Sequence, residues 1–392
     1  MLLRNIKLAV LSLAVAGVLG VGIVDDADAQ SRRDRSDRSS KEKEVNYPAA
    51  TRQEPQAKGA PKLAARMQKM IDAYNKDDYA TSRSLADEIL ASDTATAYDR
   101  GVAAQIASQA AYNTDDEAGT RDYLQKAIAE DALDNNSHYQ LMLMLAQLQL
   151  QEDQYEQGLA TLDRYLTETK SQRPLDYVVK GQALYQMERY SEAIPVLKHA
   201  IEISPEPENA WLQLLMASYA EADMPNEAIA LAEQVAAKDP GDKRVQLNLA
   251  TVYMQADRMD KATEVLEKLR AAGQLTEDRE YRQLYGVYLN QDGKEKEAAV
   301  AINEGLEKGI LKPDYQAYLA LAQSYYFSEQ IGPAIEAYKK AGPLSQDGET
   351  FLNLARIYWQ EDRIPEAKQA AKAALDKGLK KPEDARKILA LP

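Results

Sequence analysis

From residue 63 onward, one pattern of small, aromatic and apolar residues returns at a nearly fixed interval. In the stretch that begins at Asn209, Leu212, Leu215, Tyr219, Ala228, Ala232 and Pro240 stand at positions 4, 7, 11, 20, 24 and 32. The stretch from Pro174 puts Tyr177, Gly181, Leu184, Ala193, Leu197, Ala200 and Pro205 at 4, 8, 11, 20, 24, 27 and 32. The frame continues from Lys243 (Leu249, Ala250, Tyr253, Ala262, Leu266, Leu269), from Arg279 (Tyr285, Gly286, Leu289, Ala298, Ile302, Gly305), from Tyr315 and from Gly348. A unit from Tyr139 carries Gly158 at position 20, and two weaker units begin near Leu63 and Arg100. The nine starts are 63, 100, 139, 174, 209, 243, 279, 315 and 348. Offsets 4, 7, 8 and 11 share one helical face, offsets 20, 24 and 27 share another, and proline at 32 cannot continue a helix. Each unit is therefore two helices joined by a turn. Alone, such a pair cannot bury its apolar face, so its neighbours in sequence must become its neighbours in space.

This pattern resembles the tetratricopeptide repeat, a 34-residue helix–turn–helix. The resemblance implies an all-α fold, a right-handed α-solenoid of about nine helix pairs over residues 63–381, with residues 382–392 as a C-terminal capping tail. Gly181, Ala250, Gly286, Ala322 and Ala355 are expected where the first helix of a repeat (A) meets the second (B). Ala193, Ala228, Ala262, Ala298, Ala334 and Ala367 are expected to do the same from helix B. A larger side chain at such a crossing overpacks it. Tyr219, Tyr253, Tyr325 and Tyr358 fill the space between repeats, with rings buried and hydroxyls free to reach a polar partner. This tyrosine stripe is structural rather than a cofactor site.

Ahead of the repeats, residues 1–7 carry Arg4 and Lys7, residues 8–24 are apolar and uncharged, and Ala27-Asp28-Ala29 offers small residues at the two positions that export cleavage requires. This is the form of a secretory signal peptide, with cleavage expected after Ala29 and Gln30 as the new N-terminus. The alternative is an uncleaved anchor at the short edge of a membrane span. Export would place the mature chain in the periplasm, with no membrane-spanning segment left. Residues 30–62 hold Arg32, Arg33, Arg35 and Arg38 among aspartates and serines, then Pro48, Pro55 and Pro61. Such a segment buries too little apolar surface to order itself, so a disordered linker is expected. Its arginines suit either a solvated tether or peripheral contact with an anionic membrane.

The chain has no cysteine, which removes disulfides, thiolate metal sites and cysteine nucleophiles. A formal charge of −14 argues against nucleic-acid partners, which require a basic face. No phosphate loop, nucleophile elbow or zinc-helix motif is present. Of the two histidines, His138 beside Asn135-Asn136-Ser137 is expected in a loop or cap, and His199 at an outer position of a helix B. The expectation is a non-enzymatic chain with no metal and no cofactor.

In tetratricopeptide proteins, positions 2, 5, 9, 12 and 13 of helix A line the surface that grips a partner. Across the seven units from Tyr139 onward, twelve of these 35 positions are glutamine: Gln140, Gln147, Gln151, Gln182, Gln186, Gln213, Gln255, Gln283, Gln291, Gln316, Gln323 and Gln360. Lysine is absent from them, and Arg244 and Arg356 are the only fixed cations. A carboxylate ligand needs charge-assisted donors, which this set lacks. Amides donate and accept together, so Gln182, Gln213, Gln255, Gln283 and Gln323 suit an extended peptide backbone. Tyr185, Tyr326, Phe327 and Trp359 add aromatic surface of the kind that holds a polyproline-II segment. The plainer alternative is that glutamine is a polar helix former.

The leader with its Arg/Asp/Ser-rich follow-on, the element Tyr47-Pro48-Ala49-Ala50-Thr51-Arg52, and Trp211 leading to the 215–221 stretch together resemble a narrower group. These are periplasmic tetratricopeptide proteins of Gram-negative bacteria associated with TonB energy-transduction systems. The resemblance implies a protein-binding scaffold or adaptor working with TonB, ExbB and ExbD toward outer-membrane transporters. A scaffold for outer-membrane or cell-wall assembly enzymes is the rival, and a self-associating structural array is a third possibility.

Overall fold

The computed structural model describes residues 45–392. The expected signal peptide and residues 30–44 of the expected linker lie outside the described residues. All regular structure among them is helical and comes in consecutive pairs: α1 (Ala64–Tyr74) with α2 (Tyr79–Leu90), α3 (Ala97–Tyr112) with α4 (Glu117–Ala129), α5 (Asn135–Gln151) with α6 (Tyr155–Thr169), and α7 (Pro174–Gln186) with α8 (Tyr190–Glu202). There follow α9 (Asn209–Glu221) and α10 (Pro225–Lys238), α11 (Lys243–Gln255) and α12 (Met259–Ala271), and α13 (Asp278–Leu289) and α14 (Glu295–Glu307). The chain closes with α15 (Tyr315–Phe327) and α16 (Ile331–Leu344), α17 (Glu349–Gln360) and α18 (Ile364–Lys377), and a last helix α19 (Glu383–Leu389). The second pair begins at Ala97 and the third at Asn135, three and four residues ahead of the expected starts near 100 and 139.

Local chemistry sets these boundaries. Asp78, Asp116, Asp134 and Asp314 each turn a carboxylate back onto a backbone N–H of the helix they precede, and Thr96 with Asp99 forms a reciprocal capping box. Within most pairs, helix A ends in one repeated turn. Asp77, Asp115, Asp153, Glu188, Asp223, Asp257, Glu329 and Asp362 all hold positive φ between 54° and 61°. The next residue then donates its N–H back to the fifth carbonyl before it, as Arg258 does to Tyr253 and Arg363 to Tyr358, each at 2.8 Å. This closes the helix end with a left-handed residue and a long-range backbone bond. The α13–α14 connection is the exception, with Gly293 at φ 76°.

The described residues form two compact units, one up to Trp211 and one over Leu212–Pro392. In the first, Met70, Ile89, Ala103 and Ala107 form one buried cluster, and Leu124, Tyr139, Met142, Leu162 and Tyr165 form the next. In the second, one cluster runs from Met216 through Leu266, Leu284 and Ile302 to Ile388. The small residues act as expected at Gly181, where an added Cβ would lie 2.4 Å from Leu197. Gly158 is explained likewise, its Cβ position being 2.6 Å from Leu150. Gly286 departs from the expectation: nothing lies within 4 Å of where its Cβ would be. The tyrosines do bridge helices, with the Tyr253 hydroxyl donating to Glu233 at 2.6 Å and Tyr325 meeting Asn303.

Residues 45–62 correct the disordered-linker expectation. They form an extended strap over the first unit. The Tyr47 ring packs edge-on against Tyr139 and Tyr165, with centroids 5.2 and 6.0 Å away. The Arg52 side chain is only 9% exposed and donates to Asp131 Oδ1 and Asn135 Oδ1, each at 2.7 Å, and to the carbonyls of Asp131 and Leu133. Further on, the Ala60 N–H donates to Asp99 Oδ2 at 2.9 Å. Two deep side chains and the open polar groups of helix ends order a segment that has no apolar run of its own. At the other terminus, α19 buries Ala385 and Ile388.

Candidate functional site

The expected groove residues divide between the two units. In the first, Gln182 and Tyr185 are half-buried on α7, and the Tyr185 ring lies edge-on to Tyr190 at 5.2 Å. In the second, Gln213 on α9 and Gln255, the last residue of α11, are exposed. Gln323 on α15 is half-buried. Among the others, Gln151, Gln316 and Gln360 are exposed, while Gln147 and Gln186 are half-buried.

Two glutamines are spent inside the fold. Gln283 donates to Thr251 Oγ1 at 3.1 Å, which ties α13 to α11. Gln291 donates to Thr263 Oγ1 at 2.8 Å and to the Val287 carbonyl. Their amides hold neighbouring helices together. Arg356 donates to Asn353 at 3.0 Å and to Asp384 of α19 at 2.8 Å, while its side chain stays 42% exposed. Several residues at the five offsets lie in the core, among them Val178, Glu280, Val287 and Leu352. At these positions the offsets serve packing.

A smaller constellation does stand out in the second unit. Phe327 is 67% exposed and Trp359 46% exposed, at the C-terminal ends of α15 and α17. Tyr326 stacks edge-on against Phe327 at 5.4 Å, and its hydroxyl donates to Gln360 Oε1 at 3.2 Å. That bond ties the two helix ends together and fixes the aromatic row. Leu289 is exposed at the C-terminal end of α13. The sequence carried a sign of it: an apolar residue at the very end of a helix A.

Around the α12–α14 packing lies an ion network. Arg270 bridges Glu267 and Glu304, and Glu304 also accepts from Lys308 and Tyr281. Although partial burial opposes ionisation, these donors hold the Glu304 carboxyl down at about 2.

His138 corrects the loop-or-cap expectation. Asp134 is the cap of α5, and His138 lies one turn inside, fully buried, with neither ring nitrogen hydrogen-bonded. Burial, reinforced by the Arg52 guanidinium, lowers it to about 4, so it is neutral at neutral pH. His199 is half-buried, with its ring 4.5 Å from that of Tyr177. Among the described residues, no group of His, Asp and Glu is arranged to hold a metal ion, and no helix is long and apolar enough to cross a membrane.

Tetratricopeptide repeat models match residues 177–207 and residues 219–287, which cover most of α7 and α8 and the run from the end of α9 to α13. No curated protein matches the chain. One similar solved structure is a tetratricopeptide repeat protein from Parabacteroides merdae, 14% identical, covering 67% of this chain and 98% of that one, with a TM-score of 0.40. Another is the C-terminal part of a repeat-containing protein from Cytophaga hutchinsonii, 13% identical over 71% of this chain and 95% of that one, TM-score 0.41. A third is MamA from Desulfovibrio magneticus, 16% identical over 44% of this chain and 93% of that one, TM-score 0.36.

Proposed function

We propose that this tetratricopeptide-repeat chain is a non-enzymatic protein-binding scaffold that grips an extended apolar segment at the aromatic ends of α15 and α17. The observation that carries this is the exposure of Phe327 and Trp359 on adjoining helix ends. A chain that buries its other tryptophan, Trp211, leaves these rings in water at a cost that a partner would recover. Tyr326 and Gln360 beside them supply a hydroxyl and an amide to a peptide backbone. Proline-rich segments fit such a surface, since their backbone is already extended and unpaired.

The leader and the Tyr47–Arg52 element support the finer part of the proposal. They favour a periplasmic adaptor that works with TonB, ExbB and ExbD on outer-membrane transporters, and the proline-rich periplasmic stretch of TonB suits the aromatic row. The test is a photo-crosslinking residue at Phe327 or Trp359 in living cells, with Val300, exposed on α14, as control. Capture of TonB, ExbD or a transporter from the aromatic positions alone supports the adaptor. Capture of cell-wall enzymes replaces TonB with the assembly scaffold. Capture of the same chain indicates self-association, and equal labelling from Val300 removes the site.

A further inference from the structure

We propose that the first unit carries a separate peptide site, at the edge formed by the C-terminal ends of α4 and α6 and the N-terminal end of α5. It takes an extended segment of another protein that presents an aromatic residue and, five positions later, an arginine. In the resting chain, residues 46–54 fill this site.

The strap is held as a peptide ligand is held, by two side-chain anchors with backbone bonds around them. Tyr47 enters the aromatic pair Tyr139 and Tyr165. Arg52 enters a ring of acceptors made by Asp131, Asn135 and the Leu133 carbonyl. Asp131 adopts φ 48°, which brings both its carboxylate and its carbonyl to the guanidinium. Strained backbone of this kind is held in place by what surrounds it. Between and beside the anchors, Asn136 Oδ1 accepts from the Asn46 N–H at 3.0 Å, and the Glu168 carbonyl accepts from the Thr51 N–H at 2.8 Å. The Asn135 side chain donates to the Arg52 carbonyl at 3.2 Å. The strap itself has no helix and no strand partner over these residues.

Its fit is nevertheless incomplete. His138 Nδ1 and Nε2 are buried at this edge without hydrogen-bond partners. Unpaired buried polar atoms are a standing cost, so the strap is not the best occupant for this surface. It stays because it is tethered, which gives it a high effective concentration at the site. The strap of a second copy would bring the same incomplete fit without that advantage. A displacing segment must therefore come from a different chain, one that keeps the two anchors and adds a polar group for His138.

A fluorescent peptide of residues 45–56, titrated by anisotropy into the full-length protein, tests this. The peptide is expected to bind full-length Arg52→Ala at least tenfold more tightly than wild type, where the strap competes. Replacing the tyrosine or the arginine of the peptide by alanine should abolish binding, as should Asp131→Ala in the Arg52→Ala chain. Binding to neither chain, or equally to both, would overturn the proposal. If Arg52→Ala loses helix by circular dichroism, Tyr47→Ala takes its place. Loss of helix in that variant too would make the strap an integral part of the fold and sink the idea. Wild-type dimers that the free peptide dissolves would replace the foreign partner with strap exchange. Trp359→Ala should leave peptide affinity unchanged, so this site and the aromatic row stand or fall separately.

Discussion

Gly181 and Gly286 occupy the same offset in their repeats, yet the structure gives them opposite roles. At Gly181 a methyl would sit 2.4 Å from Leu197, so Gly181→Ala should cost about 1–3 kcal/mol by overpacking. At Gly286 the space is open, so Gly286→Ala should stabilise by about 0.5–1 kcal/mol, because alanine is the better helix former. Urea unfolding of the two variants gives both signs. An offset in a repeat records where small residues recur, but it does not record how far the opposing side chain reaches. For that reason the crossing at Gly181 was legible in the sequence and the openness at Gly286 was not. His138 escaped for a related reason. The frame started its repeat at Tyr139, whereas the helix starts at Asn135 and carries the imidazole inward. Its folded form holds off protonation until about 4, against 6.5 for a free histidine. The unfolded chain therefore binds the proton first on acidification. The His138 contribution is complete above pH 6.5 and is lost as the pH falls toward 4, by roughly 3 kcal/mol in all. With only two histidines in the chain, proton NMR resolves this titration directly, and His138→Leu should flatten the dependence of stability on pH in that window.

At the scale of the element, the repeated turn is the feature that most sets this chain apart from a plain helical array. A left-handed position usually goes to glycine, whereas here an acid holds it in eight hairpins. Aspartate tolerates the conformation better than most residues, but not without strain. Asp257→Gly should therefore gain up to about 1 kcal/mol, and Asp257→Val, whose branched side chain resists positive φ, should lose at least about 1 kcal/mol. Thermal unfolding of the two variants separates this backbone effect from a charge effect, since both remove the carboxylate. A charge effect would move them the same way. The helix pairs were legible because packing repeats itself, and repetition amplifies a weak signal. The strap was not, because Tyr47 and Arg52 are single anchors with no period, set among prolines and charges that look solvated in isolation.

At the scale of the whole molecule, an array held together by neighbour contacts has no single stability, only a sum over adjoining helices. The sequence frame treats residues 63–381 as one such sum. The cluster from Met216 to Ile388 is continuous within the second unit, and the clusters around Ile89, Leu162 and Trp211 lie in the first. The expected groove residues likewise fall in both units, and some of the offsets they occupy serve the cores. A core truncation should therefore act within its own unit. Leu266 is fully buried at the centre of the second cluster, so Leu266→Ala should cost about 2–5 kcal/mol there. Hydrogen exchange should then show lost protection across α10 to α18, with the strongest effect in α12 and its neighbours. The amides of α5 and α6, and that of Thr51 bonded to Glu168, should exchange as in wild type. Leu162→Ala should give the converse, loosening α5, α6 and the strap while α12 to α18 keep their protection. Were either variant to loosen both units together, folding would be cooperative along the whole chain, and the two binding surfaces could not be switched independently.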